Sequence, residues 1–391
     1  MAIDVLSDVL RVVRLSGAVF FTADFSSPWA VRSPPADALA SLVLPGAECV
    51  VLFHVLVDGE CVVECPSHPA VRMEAGDVVV FPHGDPHTMG SRDAVTVTPI
   101  GEVFTPGARD DLPQICFGGG GQASRLLCGY LNCDQRFGPL IGALPTMLLV
   151  RSQDDYAGIE ALDAAGRRPT AVPRGTGTWL GTTIKFTIHE ARSARPGNSA
   201  MLGRLTELMF VEILREYMQQ LPDDHGGWLA GLNDPHVGKA LRLLHASPRR
   251  NWTVDQLSRE AAVSRSVLAE RFTQLVGEAP MRYLANWRMQ LARQLLREGT
   301  HSIQEVAMRV GYESEAAFNR AFKRATGSPP ATWRRGATSQ PASAIGSRST
   351  SLRTATGAGI GAGEAVADES LLGGEEGEVV PVRGFEPRSR G

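Results

Sequence analysis

The sequence predicts two kinds of structure in one chain: an all-β, barrel-like unit at the N-terminus and an all-α unit at the C-terminus. Three observations predict it. Short β-branched and aromatic runs fill residues 17–105, among them GAVFFTADF, CVVLFHVLV, CVVEC and DVVVF, with Pro, Gly and Asp between them. From 235 to 335 the apolar residues keep helical spacing. Within that stretch Thr253–Tyr283 recurs about 50 residues later as Ser302–Trp333. Ser264 matches Ser314, Phe272 matches Phe322, Gly277 matches Gly327 and Pro280 matches Pro330.

The elements follow in order. Ile3, Leu6, Val9, Leu10 and Val13 fall at helical spacing and predict an amphipathic first helix rather than a signal peptide. No run of 18 apolar residues occurs, so no membrane span is expected and the chain reads as cytoplasmic. The six cysteines then read as reduced thiols. The strand runs, punctuated by SPPAD, VDGE, EAGD and PHGDP, predict an antiparallel barrel or sandwich. Residues 106–125 contain GGGG and read as a loop, and 126–150 regain apolar character. Residues 157–196, rich in Gly, Pro and Thr, show no clear period. Leu202, Leu205, Leu208, Met209, Ile213 and Tyr217 predict a helix over 201–221, apolar on more than one face and therefore an interface helix. Asp223–Asp234 reads as a Gly/Asp-rich linker. Helices are expected at about 236–246, 253–261, 265–276, 280–297, 302–309, 315–325 and 330–335. The last 55 residues hold few large apolar groups and are expected to be disordered.

The net charge of −3 hides an asymmetry: residues 236–336 carry +9 and residues 1–235 carry −10. Only the basic part is suited to a polyanion. Each copy of the repeat reads as a helix, a tight turn and a second amphipathic helix. In the first copy Ala261 and Ala262 are the small turn residues and Ser264 is the N-cap. Leu268, Phe272 and Leu275 face inward; Arg265, Ser266, Ala269, Glu270 and Thr273 face outward. In the second copy Gly311 supplies the turn and Ser314 the cap, with Phe318, Phe322 and Ala325 inward and Ala316, Asn319, Arg320 and Lys323 outward. Two such units predict double-stranded DNA as the partner. Arg320 suits guanine O6 and N7, and Asn319 suits adenine. Lys323, Arg324, Arg334, Arg335, Arg249 and Arg250 suit phosphates. Glu270 either accepts from cytosine N4 or pairs with Arg265 or Arg271 and reads nothing.

The stretches WTVDQLSREAAVSRSVLAERFTQLVGEAPMRYLANWRMQLARQLL and SIQEVAMRVGYESEAAFNRAFKRATGSPPATWRR closely resemble the DNA-binding region of AraC/XylS-type transcription regulators. The resemblance implies two helix-turn-helix subdomains bridged by a long helix at about 280–297. Their reading helices would enter successive major-groove segments roughly 34 Å apart. The sequence departs from the family at Ala262, where Gly is usual, which implies strain in the first turn.

Gly76-x5-Pro82-x-Gly84-x2-His87, within EAGDVVVFPHGDPHTM, resembles the second signature of the cupin β-barrel, where the His points inward and can bind a divalent metal. Upstream, FHVLVDGE supplies His54 and Glu60, but Leu56 stands where a metal cupin has its second His. Two readings stay open. One is an effector or metal site built from His54 and His87, with Glu60 and Cys128 as further candidates. The other is a barrel with ordinary buried histidines and no metal. The order of parts over about 1–335 resembles the cupin-sensor branch of the same regulator family. That resemblance implies a sensing domain over 1–155, interface helices over 156–234, a reading domain over 235–336 and a tail over 337–391. It implies a non-enzymatic activator that binds a small effector, forms a homodimer and meets RNA polymerase. The alternatives are a metal-dependent cupin enzyme with a DNA-binding appendage, or a thiol redox sensor using Cys128 and Cys133.

Overall fold

The computed structural model describes residues 4–13, 15–36, 38, 49–66, 68–103, 114–133, 138–153, 156–162, 177–193, 195–221 and 227–338. Helix α1 (Val5–Val13) precedes strands β1 (Leu15–Ser26), β2 (Ala30–Ser33), β3 (Cys49–Asp58), β4 (Glu60–Cys65), β5 (His68–Glu74), β6 (Val78–Phe81), β7 (His87–Gly90) and β8 (Thr98–Pro99). A short α2 (Ile100–Val103) leads to β9 (Gln114–Gly118) and β10 (Ala123–Cys133). Then come α3 (Gly138–Gly142), β11 (Met147–Gln153) and β12 (Tyr156–Leu162). Helices follow: α4 (Gly177–Ala191), α5 (Asn198–Gln220), α6 (Trp228–Asn233), α7 (Val237–Ala246), α8 (Val254–Glu260) and α9 (Arg265–Val276). The last are α10 (Pro280–Glu298), α11 (Ile303–Arg309), α12 (Glu315–Thr326) and α13 (Pro330–Thr338). Residues beyond 338, where the sequence predicts disorder, lie outside the described residues.

The strands form a seven-stranded sheet, ordered β12-β11-β6-β3-β10-β1-β9, and a five-stranded sheet, ordered β5-β4-β7-β2-β8. The middle of the larger sheet is buried on both faces. On β3, Val50, Leu52 and Leu56 point into the core that also holds Val63, Met73 and Met89 of the smaller sheet. Val51, Phe53, Val55 and Val57 point the other way, into a core shared with the helices. This alternation explains why CVVLFHVLV is apolar at nearly every position: a strand covered on both sides needs no polar face. It also places His54 on the inward face, in register with Cys128 of β10 and Val79 of β6.

Helix α5 rests on β1 through two glycines. A Cβ on Gly17 would lie 2.7 Å from the Gly203 carbonyl oxygen, and the reverse contact is equally close. The Gly17 amide donates to Glu207 at 3.1 Å. Three segments differ from the sequence reading. Gln114–Gly118, within the expected loop, pairs in parallel with β1. Residues 157–196 contain most of β12 and α4. The expected linker contains α6, whose Trp228 is buried and donates from Nε1 to the Tyr283 hydroxyl. One aromatic anchor outweighs the surrounding Gly and Asp, because burying it removes a large apolar area from water.

The apolar core crosses the boundary the sequence places at 234/235. Val5, Leu6, Val9 and Val12 of α1, the outer face of the large sheet, α4, α5 and the first helix-turn-helix unit share one cluster. The second unit keeps a separate one, built from Met289, Leu296, Val306, Val310, Phe318 and Phe322.

Candidate functional site

The C-terminal helices match the expected spans to within three residues at every end. Their caps explain the agreement. Thr253 caps α8 and forms a reciprocal box with Gln256; Ser302 does the same with Glu305 at α11. Ser264 accepts from the Val267 amide at α9, and Ser314 from the Ala317 amide at α12. Between the paired helices Gly311 takes φ 87°, and Ala262, at the matching turn, is held at φ 56°. Alanine there carries a steric cost that glycine avoids.

On α9, Leu268 and Phe272 are buried as expected, while Val276 takes the buried place assigned to Leu275, which is half-buried. Arg265, Ser266 and Glu270 are exposed and Ala269 is half-exposed. Glu270 pairs with neither candidate arginine: Arg265 faces Asp255 at 3.6 Å and Arg271 donates to Asp234 at 2.5 Å. On α12, Phe318 and Phe322 are buried, but Ala325 is exposed. Ala321 packs on the core instead, because Phe318, Ala321 and Phe322 complete the i, i+3, i+4 face one turn earlier. Ala316, Arg320 and Lys323 are exposed and Asn319 is half-exposed.

The arginines divide by role. Arg288 on α10 donates to the Pro248 and Arg250 carbonyls, Arg293 to the Ala325 carbonyl and Arg334 to the His301 carbonyl. Arg250 lies over the Trp252 ring at 3.9 Å. Of the expected phosphate ligands, Arg334 therefore holds the fold together. Among the described residues the side chains of Asn319, Arg320 and Lys323 have no hydrogen bond or ion pair.

Inside the barrel, His54, His87 and Cys128 come together. The His54 and His87 Nε2 atoms are 2.8 Å apart, and His54 Nδ1 is 2.9 Å from Cys128 Sγ. His87 Nδ1 is 2.9 Å from the Asp85 carbonyl oxygen, which can only accept. That assigns the protons along the chain. His87 donates from Nδ1, so its Nε2 accepts from His54 Nε2–H, and His54 Nδ1 accepts from the Cys128 thiol. All three groups are neutral. Burial agrees: it holds His54 well below the ordinary histidine value, with His87 adding to the effect. Burial also lowers His87 to about 4, against the Asp85 carbonyl, which acts the other way. It pushes the Cys128 thiol up, with Cys61 adding. Such a thiol is a poor nucleophile. Phe81 stacks on His87 at 3.8 Å.

Glu60 does not join this chain. It pairs with Arg72 and lines a small polar cleft with Ser91, Arg92 and Ser124. Among the described residues no group of three or more His, Cys, Asp or Glu is placed to hold a metal ion. Two imidazoles on one zinc sit about 3.3 Å apart at the ligating nitrogens, so this pair would have to open. The side chain of Cys133 lies outside the described residues.

Sequence reading missed a buried network joining α1 to the helical part. Asp8 lies 2.8 Å from His245 Nδ1, and His245 Nε2 lies 2.8 Å from the Tyr283 hydroxyl. With Trp228 donating to that hydroxyl, Tyr283 donates to His245, and neutral His245 donates to Asp8. Burial raises the Asp8 pKa, but His245 and Arg11 outweigh it and leave the carboxyl below its ordinary value. The sequence signal was slight: Asp8 is one of several polar residues on an amphipathic helix.

A Cupin family profile matches residues 4–167 and 168–219, and a Helix-turn-helix domain profile matches 257–336. An AraC-like transcription regulator of Streptomyces lividans is 32% identical over 335 residues, covering 85% of this chain and 98% of its own. The chain belongs to the AraC-like transcription regulators. Similar members include the HTH-type transcriptional regulator AlkR of Acinetobacter baylyi, 27% identical over 328 residues, covering 82% of this chain and 95% of its own. An AraC-like regulator of Streptomyces antibioticus is 46% identical over 149 residues, covering 38% of this chain and 49% of its own. Within this family, the chain combines a sheet-rich cupin-like part with a helical helix-turn-helix part. No described helix is long and apolar enough to cross a membrane.

Proposed function

We propose that the chain reads double-stranded DNA in a sequence-specific way and activates transcription when a small effector meets its barrel. The observation that carries the DNA reading is the outer face of α12. Asn319, Arg320 and Lys323 stand on a capped helix with no partner for their side chains among the described residues, while Arg288 and Arg271 are engaged by carbonyls and a carboxylate. Long donors left free on such a face match base edges and phosphates. We assign Arg265, Ser266, Ala269 and Glu270 of α9 and Ala316, Asn319, Arg320 and Lys323 of α12 to the DNA. Arg320→Ala should cost ~1–3 kcal/mol of specific binding and relax base preference at one position. An unchanged binding curve and motif on selected duplexes would remove the assignment.

We assign effector contact to His54, His87 and Cys128, with sensing in 1–155, interface helices in 156–234 and reading in 235–336. A neutral hydrogen-bonded chain in an apolar barrel supports an uncharged ligand over an ionic one, since an unpaired buried charge is costly. Homodimerisation is supported by exposed Trp179 and Phe186 on α4 and Met201 and Leu208 on α5. Leu208→Glu should then convert a sedimenting dimer to monomer. Family membership supports work in the cytoplasm beside RNA polymerase, and sensing rather than catalysis by the barrel.

A further inference from the structure

The two helix-turn-helix units touch directly beside α10. The segment entering the first unit, Pro248–Asn251, meets the turn of the second, Gly311–Glu313. Arg288, midway along α10, donates from Nε to the Pro248 carbonyl at 2.7 Å and from its terminal nitrogen to the Arg250 carbonyl at 3.0 Å. The same guanidinium lies 5.9 Å from the Tyr312 ring centre. Asn251 donates to Glu313 across the gap at 3.2 Å. Gly311 closes the contact: a Cβ there would lie 2.9 Å from both the Arg249 Cα and the Arg288 terminal nitrogen. Glycine is thus required twice over, by φ 87° and by the approach.

The apolar cores supply little of this connection, meeting at the half-buried Leu291 of α10. The first unit belongs to the cluster shared with the barrel, and the second has its own. The orientation of α12 relative to α9 is set by α10, whose side chains enter both cores, and by this polar contact. A guanidinium suits the task because its planar fork holds two carbonyls at fixed angles, which a lysine cannot reproduce.

We propose that Arg288, with Asn251 and Gly311, is a clamp that determines specificity by fixing the spacing and rotation between α9 and α12. It lets the chain accept operators whose two blocks lie at one separation and reject those a base pair longer. The clamp touches no base, so Arg288 is a positioning residue. The inference rests on reading α9 and α12 as the base-reading helices.

The test uses the full chain and duplexes that the wild type selects from a random library. One or two base pairs are then inserted between the two selected blocks. Each insertion moves one block by about 3.4 Å and turns it by about 34°. Wild type should lose about tenfold or more in affinity per inserted base pair. Arg288→Lys and Asn251→Ala should each bind the parent duplex more weakly yet lose less than about threefold on insertion, because a loosened pair of units follows the displaced block. Asn251 is exposed, so its substitution spares folding if the Arg288 variant does not. A variant that is merely less stable weakens all duplexes by one factor and leaves the insertion ratio at its wild-type value; that result overturns the clamp. Selection of a single-block motif by wild type overturns the two-helix reading itself, and the clamp with it.

Discussion

At the scale of single residues, the same side chain types serve opposite ends, and only partners distinguish them. Arg271 and Arg320 look alike in sequence; one is held by Asp234 and the other has no partner among the described residues. Sequence reading picked Arg320 from its place on the outer face, which the helical period makes legible. It could not see that Arg334 would be taken by the His301 carbonyl, because that contact spans 33 residues. The barrel histidines were legible as a pair from one motif and one strand, but their proton order depends on the Asp85 carbonyl and so on the fold. That order carries a pH dependence. His87 falls to about 4 in the fold against an ordinary 6.5, and His54 is lowered too, so between these values the unfolded chain binds more protons. Their contribution to stability is therefore full above pH 6.5 and is lost as pH falls toward 4. His245, also lowered by burial despite Asp8, acts with the same sign. Replacing His54 and His87 together by Leu should flatten, without abolishing, the fall of the unfolding temperature over that window. An unaltered slope would show that the pair is not neutral in the fold.

At the scale of elements, the C-terminal helices were legible because local signals agree: caps, turns and apolar stripes all mark the same ends. The Ala262 turn is the exception that the repeat exposes, since Gly311 stands at the same point of the second copy. Ala262→Gly should raise stability by up to ~1 kcal/mol by relieving φ 56°, measured as a shift in denaturant midpoint. No gain would mean that the turn has relaxed at no cost. Ser314→Ala should lower stability by about 1 kcal/mol through loss of the Ala317 amide's acceptor. The N-terminal elements were less legible. Gln114–Gly118 becomes a strand only through its parallel partner β1, and α6 only through the pocket that receives Trp228. Both depend on contacts distant in sequence, which periodicity does not report.

At the scale of the whole molecule, the division of cores matters more than the division of domains. Helix α1 packs against α7 and α10, so the start of the chain stabilises the first reading unit. The second unit, with its smaller core, is joined through α10 and the Arg288 contact. Local opening follows the density of buried apolar contacts. Amide exchange in α11 and α12 should therefore be faster than in α8 and α9, in the free chain and at neutral pH. Equal protection would mean that the two units open as one. These features serve one claim: that this regulator finds its sites by presenting α9 and α12 to the major groove of specific duplexes. The direct test is to capture sheared genomic DNA from the source organism at near-physiological salt with the full chain, with Arg320→Ala alongside, and to sequence what is recovered. The expected result is sharp enrichment at a few sites sharing a two-block motif, blurred at one position by Arg320→Ala. Uniform, salt-sensitive recovery, the same for both proteins and unchanged by added cell extract as a source of effector, would contradict it.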